Sequence, residues 1–123
     1  MNIPENLQYT KSHEWIREVE GGVYEIGLTD FAQKELGDIV FVNLPQAGDA
    51  LTAGASFADV ESVKAVSEIY SPLDGEVVEA SETPLDAPEK INQAPYETWL
   101  VKARGTLSAD ILLSAAEYKK LIG

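Results

Sequence analysis

The 123-residue chain has no cysteine, a single histidine, a single methionine, and nine Lys and Arg against 21 Asp and Glu. Without cysteine it has neither a disulfide framework nor a thiol nucleophile. One histidine, His13, leaves no His/Cys set for zinc. It also leaves no catalytic triad in view: Ser12 and His13 are neighbours without a visible third member, and the plain reading of His13 is a surface or turn residue. The formal net charge of −12 opposes nucleic-acid binding, which depends on neutralising phosphates with Lys and Arg. Neither Gly-x-Gly-x-x-Gly nor a phosphate loop is present. No apolar run is long enough to span a bilayer. The start, Met1-Asn2-Ile3-Pro4-Glu5-Asn6, has the pattern of neither a signal peptide nor an Arg-rich transit peptide. These absences predict a protein of the bacterial cytoplasm, with the mitochondrial matrix as the alternative. They predict no active site of its own, no metal, and no nucleic-acid or membrane partner. The acidity suits a chain that meets basic partner surfaces by electrostatic steering.

What is present suffices for one domain over residues 1–123, since 45% of the chain is hydrophobic. Glu14 to Val19 and Val23 to Leu28 read as strands around a Gly21-Gly22 turn. Thr29 or Asp30 caps a helix through Leu36; Asp30 and Gln33 have capping-box spacing, and Gly37 supplies a left-handed end. Ile39 to Leu44 alternates, with Ile39, Phe41 and Asn43 on one face and Val40, Val42 and Leu44 on the other, until Pro45 stops it. Turns are expected at Ala47-Gly48-Asp49 and Ser71-Pro72-Leu73-Asp74-Gly75, with a very short strand at Leu51-Thr52. Further strands are Phe57 to Ser62, Val66 to Tyr70, Glu76 to Ala80 and Trp99 to Arg104. Residues 81 to 98 carry three prolines and read as a long loop with one helical turn begun at Pro88. In the tail, Ser108 caps Ala109 to Leu113, and Ser114 with Glu117 forms a capping box before Tyr118, Leu121 and Ile122. Many short strands between Gly and Pro turns predict a mainly β fold, a small sandwich or flattened barrel, with peripheral helices including a C-terminal one. Trp15 and Trp99 read as packing residues.

Lys64 is the only basic residue between Lys34 and Lys90. It falls at the tip of the hairpin between Phe57–Ser62 and Val66–Tyr70, and a type I turn there needs no glycine. Taken alone it is a solubilising turn lysine. As a Schiff-base or general-base lysine it would need burial, which a hairpin tip does not provide. An exposed lysine on a rigid finger is instead a good acceptor for another enzyme. The matching turn at Ser71-Pro72-Leu73-Asp74-Gly75 favours that reading.

Several stretches, in order, resemble the H-protein family of the glycine cleavage system. They are Tyr9-Thr10-Lys11-Ser12-His13-Glu14-Trp15, Ile26 to Gln33, Leu36 to Val42, Val60-Glu61-Ser62-Val63-Lys64-Ala65 and Ile69 to Val78. Ile91-Asn92 with Pro95-Tyr96 and the tail Glu117 to Gly123 complete the match. The string Glu61-Ser62-Val63-Lys64-Ala65 is the most specific, because that family carries lipoate on this lysine. Two departures stand out: Pro95-Tyr96-Glu97-Thr98-Trp99 lacks the glycine that usually precedes this Trp, and Ser81 stands where the family usually has Asn.

The resemblance implies the biotinyl/lipoyl-carrier fold, a barrel-sandwich hybrid. It implies that a lipoate ligase or transferase joins lipoate to Lys64 through an amide, with Glu61 in the recognised motif. The dithiolane then takes an aminomethyl group from glycine at a pyridoxal-phosphate glycine decarboxylase. An aminomethyltransferase passes the carbon to tetrahydrofolate and releases ammonia, and an FAD-dependent dihydrolipoamide dehydrogenase reoxidises the dithiol. In the family the loaded arm folds back on the domain; by resemblance Ser12, His13, Glu14 and Glu68 line that cleft, with Glu14 or Glu68 facing the arm's amine. The protein is expected to act as a monomeric carrier. A biotin carrier is disfavoured, because its lysine usually sits between methionines and Val63 and Ala65 flank Lys64. A 2-oxoacid dehydrogenase lipoyl domain would usually show Asp-Lys-Ala. An H-like relay of lipoyl groups to other complexes and an unmodified interaction module remain the alternatives.

Overall fold

A computed structural model describes residues 1–123. Nine strands form two sheets. In chain order they are β1 (Gln8–Tyr9), β2 (Glu14–Glu20), β3 (Val23–Leu28), β4 (Ile39–Asn43), β5 (Ala50–Leu51), β6 (Ser56–Ser62), β7 (Val66–Tyr70), β8 (Leu73–Ala80) and β9 (Val101–Leu107). The larger sheet has the order β1-β2-β3-β9-β8-β5, the smaller one β4-β6-β7, and every pairing is antiparallel. The sheets do not close on each other. Four helices lie around them: α1 (Asp30–Leu36), α2 (Thr83–Asp86), α3 (Lys90–Gln93) and α4 (Ala115–Ile122). None is long and apolar enough to cross a membrane.

The core has three parts. Ile39, Val42, Val60 and Ile69 of the small sheet pack with Leu28, Ala32, Ile91 and Leu100. Ile26, Leu73, Val77, Val101 and Ala103 fill the large sheet's inner face, and half-buried Phe57 touches both groups. Tyr9, Trp15, Tyr96 and Tyr118 form the third part, which fastens α4 to β1 and β2. Both tryptophans pack here, Trp15 fully buried and Trp99 at the edge.

Several elements differ from the sequence reading for identifiable reasons. In β4 the register shifts between Ile39 and Phe41, so Ile39 and Val42 are buried while Val40 and Phe41 are exposed; a bulge breaks the two-residue alternation. Gly75 is not in a turn. It lies inside β8 opposite Gly105 of β9, where a β-carbon would stand 1.9 Å from the Arg104 carbonyl oxygen. The glycine serves close backbone approach rather than chain reversal. Strand β9 runs Val101–Leu107, two residues later than Trp99–Arg104 at its start. Residues 81–98 hold two short helices rather than one turn, because Pro84 opens α2, and the Thr98 hydroxyl donates to the carbonyls of Lys90, the first residue of α3, and Ala94, its C-cap.

The helix signals divide in the same way. Thr29 caps α1 by accepting from the Ala32 amide. Asp30 instead bonds the Gln33 side chain and the Asn2 amide, so its spacing with Gln33 is not a capping box. Gly37 ends α1 at φ 76°. Ser108 makes no side-chain cap, and only a 3-10 turn at Ala109–Ile111 follows. Ser114 and Glu117 do form a capping box at α4.

Candidate functional site

Lys64 stands in the middle of the three-residue connection, Val63 to Ala65, between β6 and β7, and its side chain is exposed. The turn is organised by Ser62. Its hydroxyl accepts from the Lys64 amide at 3.2 Å and the Ala65 amide at 3.0 Å, while its own amide donates to the Ala65 carbonyl at 2.8 Å. No residue of the tip has positive φ, so glycine is not required. The tip is also tied sideways, since the Val63 amide donates to the Asp38 carbonyl at 3.0 Å. Lys64 Cε passes 3.8 Å from where a Gly37 β-carbon would be, so bare backbone at the end of α1 makes room for the lysine stem. The Lys64 ammonium makes no ion pair.

From the tip, β7 leads to a cleft. Val66, Glu68 and Tyr70 alternate on its outer face, and the Tyr70 hydroxyl donates to a Glu68 oxygen at 3.2 Å. Tyr70 borders an opening of about 330 Å³ lined also by Thr10, Ser12, Glu14, Ile111 and Leu113. Glu14 is fully buried, although a strand-end carboxylate would ordinarily be solvated. One of its oxygens accepts from the Thr10 hydroxyl and, at 2.6 Å, from the Ser12 hydroxyl; the other accepts from the Tyr70 amide at 3.2 Å. Burial raises its pKa above the usual carboxylate value, and these hydrogen bonds oppose the rise. No cation pairs with it. Lys11 and Asp110, both exposed, stand at the rim. The arrangement is a buried anionic floor under half-apolar walls, one hairpin arm from an exposed primary amine.

The family profile described as "Glycine cleavage H-protein" matches residues 7–123. The chain belongs to this family. It is 52% identical over 122 residues to the glycine cleavage system H protein of Lachnoclostridium phytofermentans, covering 99% of this chain and 96% of that one. It is 50% identical over 126 residues to the H protein of Staphylococcus haemolyticus, covering 100% and 99%. The crystal structure of the H protein from Mycobacterium marinum superposes with a TM-score of 0.92 at 38% identity, over 98% of this chain and 99% of that one. The architecture is thus the barrel-sandwich fold of lipoyl domains, and the family's role is that of a lipoyl carrier in glycine cleavage, not a catalyst.

The structure brings Ser12 and Glu14 of this H-protein family member into the cleft together. His13, between them, turns away: its ring packs 4.7 Å from Phe31 and its Nδ1 lies 2.8 Å from the Tyr118 hydroxyl. Glu68 lies on the outer face of β7 between Lys64 and the cleft, not in its lining. Glu61 is exposed, paired across the small sheet with Val66 on one side and Phe41 on the other. Thr10, Tyr70, Ile111 and Leu113 were missed by the sequence reading. Thr10 carries a weak signal, a hydroxyl four residues before an acid, whereas the 111–113 wall comes from the other end of the chain and leaves no local trace. No group of three His, Asp or Glu side chains is placed to hold a metal ion.

Proposed function

We propose that residues 1–123 act as a single carrier domain lipoylated on Lys64. In that form the protein takes the aminomethyl group of glycine from the pyridoxal-phosphate decarboxylase to the tetrahydrofolate-dependent aminomethyltransferase, then returns to the FAD-containing dihydrolipoamide dehydrogenase. The observation that carries this reading is an exposed, unpaired Lys64 on a doubly anchored turn, the length of β7 from a cleft whose buried carboxylate lacks a counter-charge. The lipoyl group, when present, supplies the sulfur pair that a cysteine-free chain cannot. Everything else falls to the protein. Lys64 Nζ provides the amide nitrogen. Ser62 and Asp38 fix the direction from which it projects. Glu68 and Tyr70 mark the row along β7 toward the cleft. Glu14 offers a desolvated negative charge to a cationic amine, an interaction stronger there than in water. Ile111, Leu113 and the Tyr70 ring restrict water at its sides.

Exposed Glu61, at the root of the turn, is read as a recognition element for the lipoate ligase or transferase. A monomer working in the bacterial cytoplasm fits this role, with no catalytic group of its own. Intact mass of protein from lipoate-replete cells tests it. Wild type should carry one lipoyl group, and Lys64→Arg none. A lipoylated Lys64→Arg chain would refute the assignment, and wild type left bare with ligase and lipoate supplied would favour the interaction-module alternative.

A further inference from the structure

One pair of side chains, His13 and Tyr118, joins the segments that carry two walls of the cleft. The first wall, Thr10 to Glu14, contains His13, whose φ of 72° makes it the only non-glycine residue in the left-handed region. Its amide donates to the Thr10 carbonyl at 3.1 Å and its carbonyl accepts from the Thr29 amide at 3.1 Å. The second wall, Ile111 to Leu113, leads into α4, and Leu113 exchanges both backbone hydrogen bonds with Tyr9 at 2.9 and 2.7 Å. From α4, fully buried Tyr118 stacks on Tyr9 with ring centres 4.7 Å apart and reaches His13 and Thr29 with its hydroxyl, each at 2.8 Å.

Proton accounting gives this chain a direction. The Ala32 amide can only donate, so Thr29 Oγ1 accepts from it. Thr29 is fully buried, and the Tyr118 oxygen is the acceptor within reach of its hydroxyl proton. Thr29 therefore donates to Tyr118, and Tyr118 donates to His13 Nδ1. That requires a neutral imidazole with its hydrogen on Nε2. A proton on Nδ1 would turn the Tyr118 hydroxyl back toward Thr29 and strand a hydroxyl proton in a buried site.

We propose that Tyr118 and His13 form a latch that positions the two walls of the Glu14 cleft relative to each other, and that protonation of His13 releases it. Both are positioning residues. The latch deepens the cleft reading above by adding its regulation, but it can be tested on the unlipoylated chain.

The surroundings support a neutral latch. Burial lowers the His13 pKa below its ordinary value, while Glu35 of α1 acts the other way. Phe31, against the ring from α1, carries no charge. Burial pushes Tyr118 of α4 up to about 12 and raises Tyr9 of β1 as well, so both keep their protons. Glu14, next in sequence, has a raised pKa and must be followed separately.

The experiment is an NMR titration of imidazole nitrogens, carboxyl carbons and backbone amides on the unlipoylated protein. At neutral pH the Nε2–H tautomer is expected, with a midpoint below the ordinary imidazole value of 6.5. The amides of Ile111 and Leu113, about a hundred residues away in sequence, should move with that midpoint alongside those of Ser12 and Glu14. In Tyr118→Phe the midpoint should rise, because a donor to the neutral ring is gone, and Ile111 and Leu113 should stop following it. In His13→Asn, which tolerates the left-handed backbone, that transition should vanish while the Glu14 carboxyl still titrates. An Nδ1–H tautomer in wild type, or Ile111 and Leu113 amides flat through the His13 titration, would overturn the latch without relying on any variant. Neither result bears on lipoylation of Lys64, which the mass measurement decides.

Discussion

The indole of Trp15 occupies the space that a β-carbon on Gly27 would need: an alanine there would put its methyl 2.5 Å from the ring. The two residues face each other in register across β2 and β3. Trp15 also donates from Nε1 to the Pro95 carbonyl at 3.0 Å, and the Arg17 guanidinium lies 4.7 Å from its ring centre. One glycine thus lets one tryptophan pin the 94–98 segment to the large sheet. Gly27→Ala should destabilise the fold by about 1–3 kcal/mol through overpacking, measured by urea unfolding. An unchanged midpoint would mean that the indole can move aside freely.

Glu14 makes a pH prediction whose sign is opposite to that of an ordinary salt-bridged acid. Its folded pKa is raised, so the folded state holds a proton that the unfolded state has already lost. Stability therefore falls as pH rises from the unfolded carboxylate value through the higher folded one. Glu14→Gln should flatten this acid-side slope and match or exceed wild-type stability at neutral pH. Its carbonyl can still accept from Tyr70, and the Thr10 and Ser12 hydroxyls can rotate to accept from its amide. Thermal melts across that window decide the matter; a stability that rises with pH only in wild type would contradict it. His13, with its pKa lowered, contributes the reverse slope: stability present above its ordinary 6.5 and lost as pH falls through its folded value. It should be held constant by comparing the two chains pairwise.

Lys64 and Ser62 should separate chemistry from architecture. Lys64→Ala removes an exposed side chain and should change stability by no more than about 0.5 kcal/mol, while lipoylation and glycine-cleavage activity in the reconstituted system disappear. Ser62→Ala removes the acceptor for two turn amides and should cost about 0.5–1.5 kcal/mol. It leaves the lysine available but its aim looser, so the ligase should work more slowly without losing the site. A Lys64→Ala chain that melts much earlier than wild type would show the lysine to be structural.

If the decarboxylase is a partner as proposed, the charge of −12 predicts that their encounter depends on salt. Association should slow as the Debye length shrinks from roughly 10 Å at 0.1 M salt to about 3 Å at 1 M, with dissociation much less affected. Stopped-flow binding across a salt series measures both. An association rate indifferent to salt would leave the acidity with a solubility role only.

The Lys64 hairpin was legible in the sequence because its signals are local: two short β runs, a glycine-free turn and a lone cation. The Ser114 capping box and the Gly37 helix end were legible for the same reason. Phe41 was misplaced because a bulge is a property of two paired strands, invisible in either one. Gly75 was misread because glycine marks both turns and tight backbone crossings, and only Gly105 opposite distinguishes them. Glu14 was named as a cleft residue, yet its burial depends on Tyr70, 56 positions away. His13 was read from its own residues as a surface or turn histidine and by resemblance as cleft lining; it turns instead to Tyr118, 105 positions on, a partner that leaves no local signal.

The bond from the Val63 amide to the Asp38 carbonyl has a kinetic meaning. It braces the tip against the end of α1, so the lysine's Cα is a fixed pivot, and what swings is only the chain of single bonds beyond it. The volume that such a tether searches is small, and the local concentration of its far end at a docked partner's active site is correspondingly high. A frayed tip would dilute the same reactive end over a larger sphere at every encounter. With Lys64 lipoylated as proposed, the carrier's speed would be set in part by a backbone contact that touches neither cargo nor partner.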